Sequence, residues 1–244
     1  HYLIAAVFAI AGPSLIAGYP VELTVNFEDA PGGPPVLLWE AKGEPLQRGV
    51  RRTFYTSEAV GFMNGDVRLS GSLLLPLGPG PHPAVVMIHG SGAVTREALH
   101  PYADVFARNG IAVLIHDKRG TGSSTGNWAR ATFDDLAGDA LAGVRFLAKR
   151  PDINASQIGL QGSSLGGWVA PLAASRSSDV AFVIVESAPA LTPLEHERLR
   201  VKTQLRADGF APMDVMRAMA FMDEKFEVAR TGKGWERLES TMAR

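Results

Sequence analysis

The sequence predicts an α/β protein: a mostly parallel sheet covered by helices on both faces, followed by a helical lid. Three observations carry this. The runs Ala84–Ile88, Ile111–Ile115, Ile158–Leu160 and Ala181–Val185 are apolar without polar interruption, as strands buried on both faces are. Longer segments with helical periodicity alternate with them. From residue 189 onward the chain turns charged and helical in pattern, with no further strand-type run up to Arg244. The sheet is therefore expected to be incomplete at its C-terminal end.

Bulk properties narrow the function classes. At 244 residues the chain can bury one sizeable core. The 24 basic and 25 acidic residues nearly cancel, so nothing points to a nucleic-acid partner. Cysteine is absent, which excludes disulfides, thiolate zinc sites and a cysteine nucleophile.

Four segments follow in order. Residues 1–18 open with Tyr2–Gly18, which is apolar, uncharged, short for a bilayer span and interrupted by Pro13. This matches the apolar core of a signal peptide with a small-residue exit near Ala17-Gly18, and predicts export to the periplasm or medium. An uncleaved membrane anchor and a buried helix are the alternatives; no other membrane partner is expected. A basic leader is lacking and the first residue is His1, so the front end is expected to be clipped. Residues 19–50 are rich in Pro and Gly, with short apolar pieces at Val21–Phe27 and Val36–Trp39, and read as an irregular β-extension.

Residues 51–188 form the expected core. Arg52–Phe62 and Val67–Leu75 flank Asn64-Gly65, a strong hairpin signal because both residues tolerate positive φ. The Pro/Gly-rich loop Pro76–Pro83 ends that pair. Ala98–Arg108 is expected to be helical, with Tyr102, Val105 and Phe106 on one face and Asn109-Gly110 as its stop. Thr132 and Asp135 have capping-box spacing. They open a helix in which Leu136, Ala140, Val144 and Leu147 recur, closed by Pro151. Residues 189–244 are the lid, punctuated by Pro193, Gly209 and Pro212. Within it Met213, Met216, Met219 and Met222 are spaced i, i+3, which reads as a packing face or as the deformable wall of an acyl or peptide pocket.

The chemistry centres on Gly162-Ser163-Ser164-Leu165-Gly166, a match to G-x-S-x-G with a strand before it and a helix after it. In that setting the central serine sits on a strained turn with its hydroxyl exposed. Gly162 and Gly166 are required because a Cβ would meet the neighbouring strand and helix. Ser164 is thus the expected nucleophile, against a structural helix-cap serine. Ser163 is one place out of register.

His89-Gly90-Ser91-Gly92 after one strand, Asp117-Lys118-Arg119-Gly120-Thr121-Gly122-Ser123-Ser124 after the next and the Ser164 motif after the third resemble the α/β-hydrolase superfamily. Within it the chain looks most similar to bacterial serine aminopeptidases of the S33 type and to related esterases. The resemblance covers roughly residues 55 to 240. It implies an α/β-hydrolase fold and an acyl-enzyme on Ser164, formed from a small-molecule ester or a peptide. The backbone N–H groups of Leu165 and Ser91 would stabilise the oxyanion. It makes His89 a structural histidine of its loop, with Gly90 beside it. Asp117 and Arg119 are expected to pair locally and hold the following turn near the site. His116 and Asp117 lack a third ligand at suitable spacing, so no metal is expected. The glycines after Arg119 lack the G-K-[ST] of a phosphate loop. Acyl transfer by serine needs no cofactor.

One part of the machinery is missing. The triad order in this fold is Ser, then Asp or Glu, then His. Downstream of Ser164 the only histidine is His196, with Asp179, Glu186 and Glu195 between. By resemblance the acid and base should follow two more strands beyond the lid. The chain is therefore expected to be a fragment of a longer protein, nearly inactive by itself. His196 as a replacement base, a non-catalytic binding domain on the same fold, and a thioesterase or dienelactone-type hydrolase are the alternatives.

Overall fold

The computed structural model describes residues 23–28, 36–41, 45–50 and 53–242. The signal-peptide expectation for residues 1–18 lies outside these. Two compact units divide between Phe54 and Tyr55. In the first, β1 (Leu23–Glu28), β2 (Val36–Ala41) and β3 (Gln47–Val50) form an antiparallel sheet with continuous register.

The second unit holds a six-stranded sheet and its helices. Its strands are β4 (Tyr55–Asn64), β5 (Val67–Pro76), β6 (His82–Ile88), β7 (Ala112–His116), β8 (Ile153–Ser163) and β9 (Phe182–Glu186). They lie in the order β4-β5-β7-β6-β8-β9. The β4–β5 hairpin and the β5–β7 contact are antiparallel, whereas β7, β6, β8 and β9 run parallel. The hairpin turn is Gly65-Asp66 rather than Asn64-Gly65, and of these only Gly65 takes positive φ, at 56°. Asn64 stays in the strand, where its side chain donates to Asp139 Oδ1 at 2.8 Å.

Helices α1 (His100–Arg108), α2 (Phe133–Ala148) and α3 (Gly166–Ala174) cover the sheet. Alternation along β6 divides the core, because successive strand residues point to opposite faces. Val85 and Met87 pack with Leu99, Ala103 and Ala107 on the α1 side. Ala84, Val86 and Ile88 pack with α2 and α3 on the other. Of the face expected on α1, Phe106 packs partly against the core, whereas Tyr102 and Val105 are 52% and 60% exposed. The small residues Ala103 and Ala107 take the buried side, and they let the helix lie close to the sheet. On α2 the capping box forms as expected, with Asp135 N donating to Thr132 Oγ1 and Thr132 N to Asp135 Oδ2.

Beyond β9 come α4 (Pro193–Ala207), α5 (Pro212–Thr231) and α6 (Trp235–Met242). Arg198–Asp223 and Arg237–Glu224 ion pairs link α4 to α5 and α5 to α6. The four methionines do not form one packing face: Met222 is buried, whereas Met213 and Met216 are exposed. At about 3.6 residues per turn, each step of three residues slips by roughly 60°, so the first and last of the series face opposite ways.

β6 pairs with β7 on one side and β8 on the other, so the connection leaving β6 for β7 and the one leaving β8 for β9 run in opposite directions. That reversal opens a crevice at the carboxyl ends of the strands, where ligands bind in open α/β sheets. The loops after β6, β7 and β8 all begin there.

Candidate active site

Ser164 stands between the end of β8 and the start of α3, with φ 53°, one of two non-glycine residues at positive φ among the described residues. Positive φ in a residue bearing a Cβ costs on the order of 1–3 kcal/mol and persists only where the surroundings enforce it. Here Ser164 N donates to Glu186 O at 3.1 Å and its carbonyl accepts Gly167 N at 2.8 Å. A Cβ on Gly162 would collide with the Gly166 carbonyl oxygen, and one on Gly166 would lie 2.8 Å from Ile88 O. The turn closes only with glycine at both places, and Ser164 is left exposed to solvent.

The loop after β6 faces this serine. A methyl group on Gly90 would come within 3.5 Å of Ser164 Cβ. Ser91 and Leu165 line one cleft of about 520 Å³, whose other walls include Trp128, Phe133 and Leu136. Neither the Ser91 nor the Leu165 amide donates to an acceptor among the described residues.

His89 lies beneath the loop, buried. Its Nε2 contacts the His116 carbonyl oxygen at 2.5 Å, so Nε2 carries the proton and donates. The two imidazoles meet edge to face with ring centroids 4.6 Å apart. Burial, followed by the neighbouring His116 ring, pushes His89 down to about 3. Burial alone pushes His116 down to about 4, and its Nδ1 has no hydrogen-bond partner.

The residues after β7 organise the neighbourhood differently from expectation. Asp117 does hold the following turn: its Oδ2 accepts Ser123 N at 2.9 Å and its carbonyl accepts the Ser124 hydroxyl at 2.7 Å. Its Oδ1 also accepts Arg96 N at 3.1 Å, tying in the end of the β6 loop. Arg119 does not pair with it. The guanidinium turns into α2, donating to both oxygens of Asp139 at 2.7 and 2.8 Å and lying 3.1 Å from Asp135. The hydrogen bonds to Asp139 lead the causes that raise its pKa. Two carboxylates four residues apart share one helix face and form a better receiver than Asp117, whose oxygens are already occupied.

His196 sits in α4 against Trp168, ring centroids 5.7 Å apart. Trp168 also meets Phe133 at 5.9 Å and donates its indole N–H to Leu191 O at 2.8 Å. His196 thus belongs to an aromatic run joining α2, α3 and α4. Among the described residues, no three His, Cys, Asp or Glu side chains are grouped as metal ligands.

The sequence reading passed over Lys118, Asp139 and the aromatic cleft walls. Asp139 had a signal, an acidic residue inside the apolar stretch of α2. Lys118, two residues past the end of a buried strand, had a weaker one.

Residues 79–218 match the family model described as serine aminopeptidase, S33. The chain belongs to that family. The fold is that of the α/β hydrolases, as its solved neighbours show. An esterase of Thermotoga maritima, EstD, is 34% identical over 52% of this chain and 32% of its own. The thiohydrolase aneE of Aspergillus aculeatus is 37% identical over 53% of this chain and 41% of its own. The crystal structure of the α/β hydrolase GrgF from a Penicillium species superposes with a TM-score of 0.50 at 26% identity, covering 72% of this chain and 67% of that one. The matches thus span about a third and two fifths of the two curated relatives.

Proposed function

We propose that this chain carries the nucleophile and oxyanion hole of a serine hydrolase that cleaves an ester, thioester or amide through an acyl-enzyme on Ser164. One observation carries the reading: an exposed serine at φ 53°, followed by Leu165, which with Ser91 lines the cleft and whose amide, like that of Ser91, has no acceptor among the described residues. Ser164 Oγ attacks the substrate carbonyl carbon and its proton passes to the triad base. The carbonyl oxygen becomes negative and accepts from Ser91 N–H and Leu165 N–H. The leaving group departs protonated, and water then releases the acyl group by the same steps. Trp128, Phe133 and Leu136 favour an apolar acyl or leaving group in the cleft. The named esterase and thiohydrolase relatives favour oxygen and sulfur esters.

The acid and base belong, on this reading, to strands pairing outside β9. Its Phe182, Val183, Ile184 and Val185 are 36–49% exposed at the edge of the sheet, which suits a strand covered by further sheet. We further propose export, on the strength of the apolar Tyr2–Gly18 stretch.

Labelling the full-length protein with a fluorophosphonate tests the nucleophile. Wild type should label and Ser164→Ala should not. Equal labelling of the two removes Ser164 from the account, and an unlabelled wild type favours a binding domain.

A further inference from the structure

We propose that Lys118 is a positioning residue of the oxyanion hole, a cation that aims the Ser91 amide by holding the carbonyls on either side of it. The inference rests on the serine-hydrolase reading above.

Lys118 is 4% exposed as a residue, with its ammonium part-buried where the side chain lines the cleft, an uncommon place for a lysine without a carboxylate partner. Its Nζ donates to Gly90 O at 2.8 Å and to Gly92 O at 3.1 Å. No ion pair to a carboxylate is formed by Lys118 among the described residues, so its charge is met by backbone carbonyl dipoles of the β6 loop. Burial pulls its pKa down, as expected for a cation held by dipoles alone.

The consequence follows from peptide geometry. A trans peptide is planar, with its C=O and N–H pointing in opposite directions. The Gly90 carbonyl and the Ser91 N–H belong to one such plane. Fixing Gly90 O on the ammonium therefore fixes the Ser91 N–H on the opposite side. The Gly92 contact holds the loop on the far side of Ser91, so the plane cannot swing. A cation on the carbonyl oxygen also polarises the peptide, which strengthens its N–H as a donor.

The same segment supports the staple. Lys118 N donates to Val94 O at 3.2 Å, and Thr121 Oγ1 donates to the same oxygen at 2.9 Å. The β6 loop is glycine-containing and exposed at Ser91, with no regular structure across residues 89–95. Its conformation is set by what it hangs on. Donors that are already aimed before the oxyanion forms contribute most to the barrier.

The test compares Lys118→Met, Lys118→Gln and Lys118→Arg in the full-length protein, hydrolysing a p-nitrophenyl acyl ester. For Lys118→Met we expect kcat to fall at least tenfold with KM within threefold of wild type. Lys118→Arg can still donate to both carbonyls and should recover at least half of that loss on a logarithmic scale. Lys118→Gln, which keeps one donor and no charge, should fall between the two; should the methionine variant not fold, the ordering of arginine above glutamine carries the test. A smaller fall in kcat, a loss carried by KM, or equal rates for arginine and glutamine would overturn the proposal. Fluorophosphonate labelling of the same preparations separates the two failures. A wild type that does not label at Ser164 removes the serine-hydrolase reading. A wild type that labels, with Lys118→Met labelling at the same rate, removes only the role of Lys118.

Discussion

The paired histidines under the β6 loop predict a stability loss in mild acid. Both are buried and neutral, with His89 pushed down to about 3 and His116 to about 4 against 6.5 when exposed. A histidine whose folded pKa is depressed contributes fully above its unfolded pKa. That contribution falls away as pH drops below the unfolded value toward the folded one. At pH 5 the folded rings remain neutral while the unfolded rings are almost all protonated. Each histidine then gives up about 2 kcal/mol relative to pH 7.5, and the pair about 4 kcal/mol. The result depends mainly on the unfolded pKa, because both folded values lie well under 5. Carboxylates enter only at the low end. Asp135 and Asp152 are depressed below 3.8, so their contributions fade under about pH 4, and those of Glu97, Glu195, Glu197 and Glu227, lowered from 4.5, begin to fade near about pH 5. Urea unfolding followed by tryptophan fluorescence at pH 7.5, 6 and 5 measures the effect, and His116→Phe should remove about half of it. Stability constant within about 1 kcal/mol over that range would mean that the rings reach solvent, and would refute the reasoning.

Two further outcomes follow from single contacts. Asp139→Ala leaves the buried Arg119 guanidinium without its bidentate partner and with Asp135 alone, and should cost about 3–5 kcal/mol in chemical unfolding. Gly162→Ala drives a Cβ into the Gly166 carbonyl, and should cost on the order of 3 kcal/mol while abolishing fluorophosphonate labelling; a variant with wild-type melting temperature and labelling would show that the elbow tolerates a side chain.

What was legible in the sequence is what local pattern determines. The uninterrupted apolar runs at β6 and β7 located strands because a strand buried on both faces has no alternative composition, and the same pattern located β9 although its residues lie exposed at the sheet edge. The glycines around Ser164 located the elbow because sterics exclude anything else. Failures came where partners are distant in sequence or where small residues decide. Tyr102 and Val105 carry larger side chains than Ala103 and Ala107, but close approach to the sheet selects the smaller pair. The methionine spacing looked like a stripe because each step is nearly a turn, though the slip accumulates to the opposite face. Asp117 and Arg119 are two apart just past a strand, close enough to pair on paper. Only the folded chain shows the Asp117 oxygens taken by Arg96 and Ser123, and α2 offering Asp135 and Asp139 instead.

The adjacent residues Lys118 and Arg119 show how one strand end serves two purposes. β7 ends at His116 and Arg119 opens a turn closed by Thr121 N donating to Lys118 O. From there Lys118 reaches the β6 loop, while Arg119 reaches α2. The first bond pattern holds the loop that carries Ser91. The second locks the helix whose Phe133 and Leu136 wall the cleft. Both sides of the cleft are thus referenced to the end of β7, a buried strand in the middle of the sheet. A site built this way keeps the Ser91 loop and the apolar wall in fixed relation even where the loops themselves are exposed. Such preorganisation is what an oxyanion hole requires. It also explains why buried charge is concentrated here. An apolar residue at 118 or 119 would pack more cheaply against the sheet, but it would leave the Gly90 and Gly92 carbonyls and the Asp139 carboxylate without the donors that orient them.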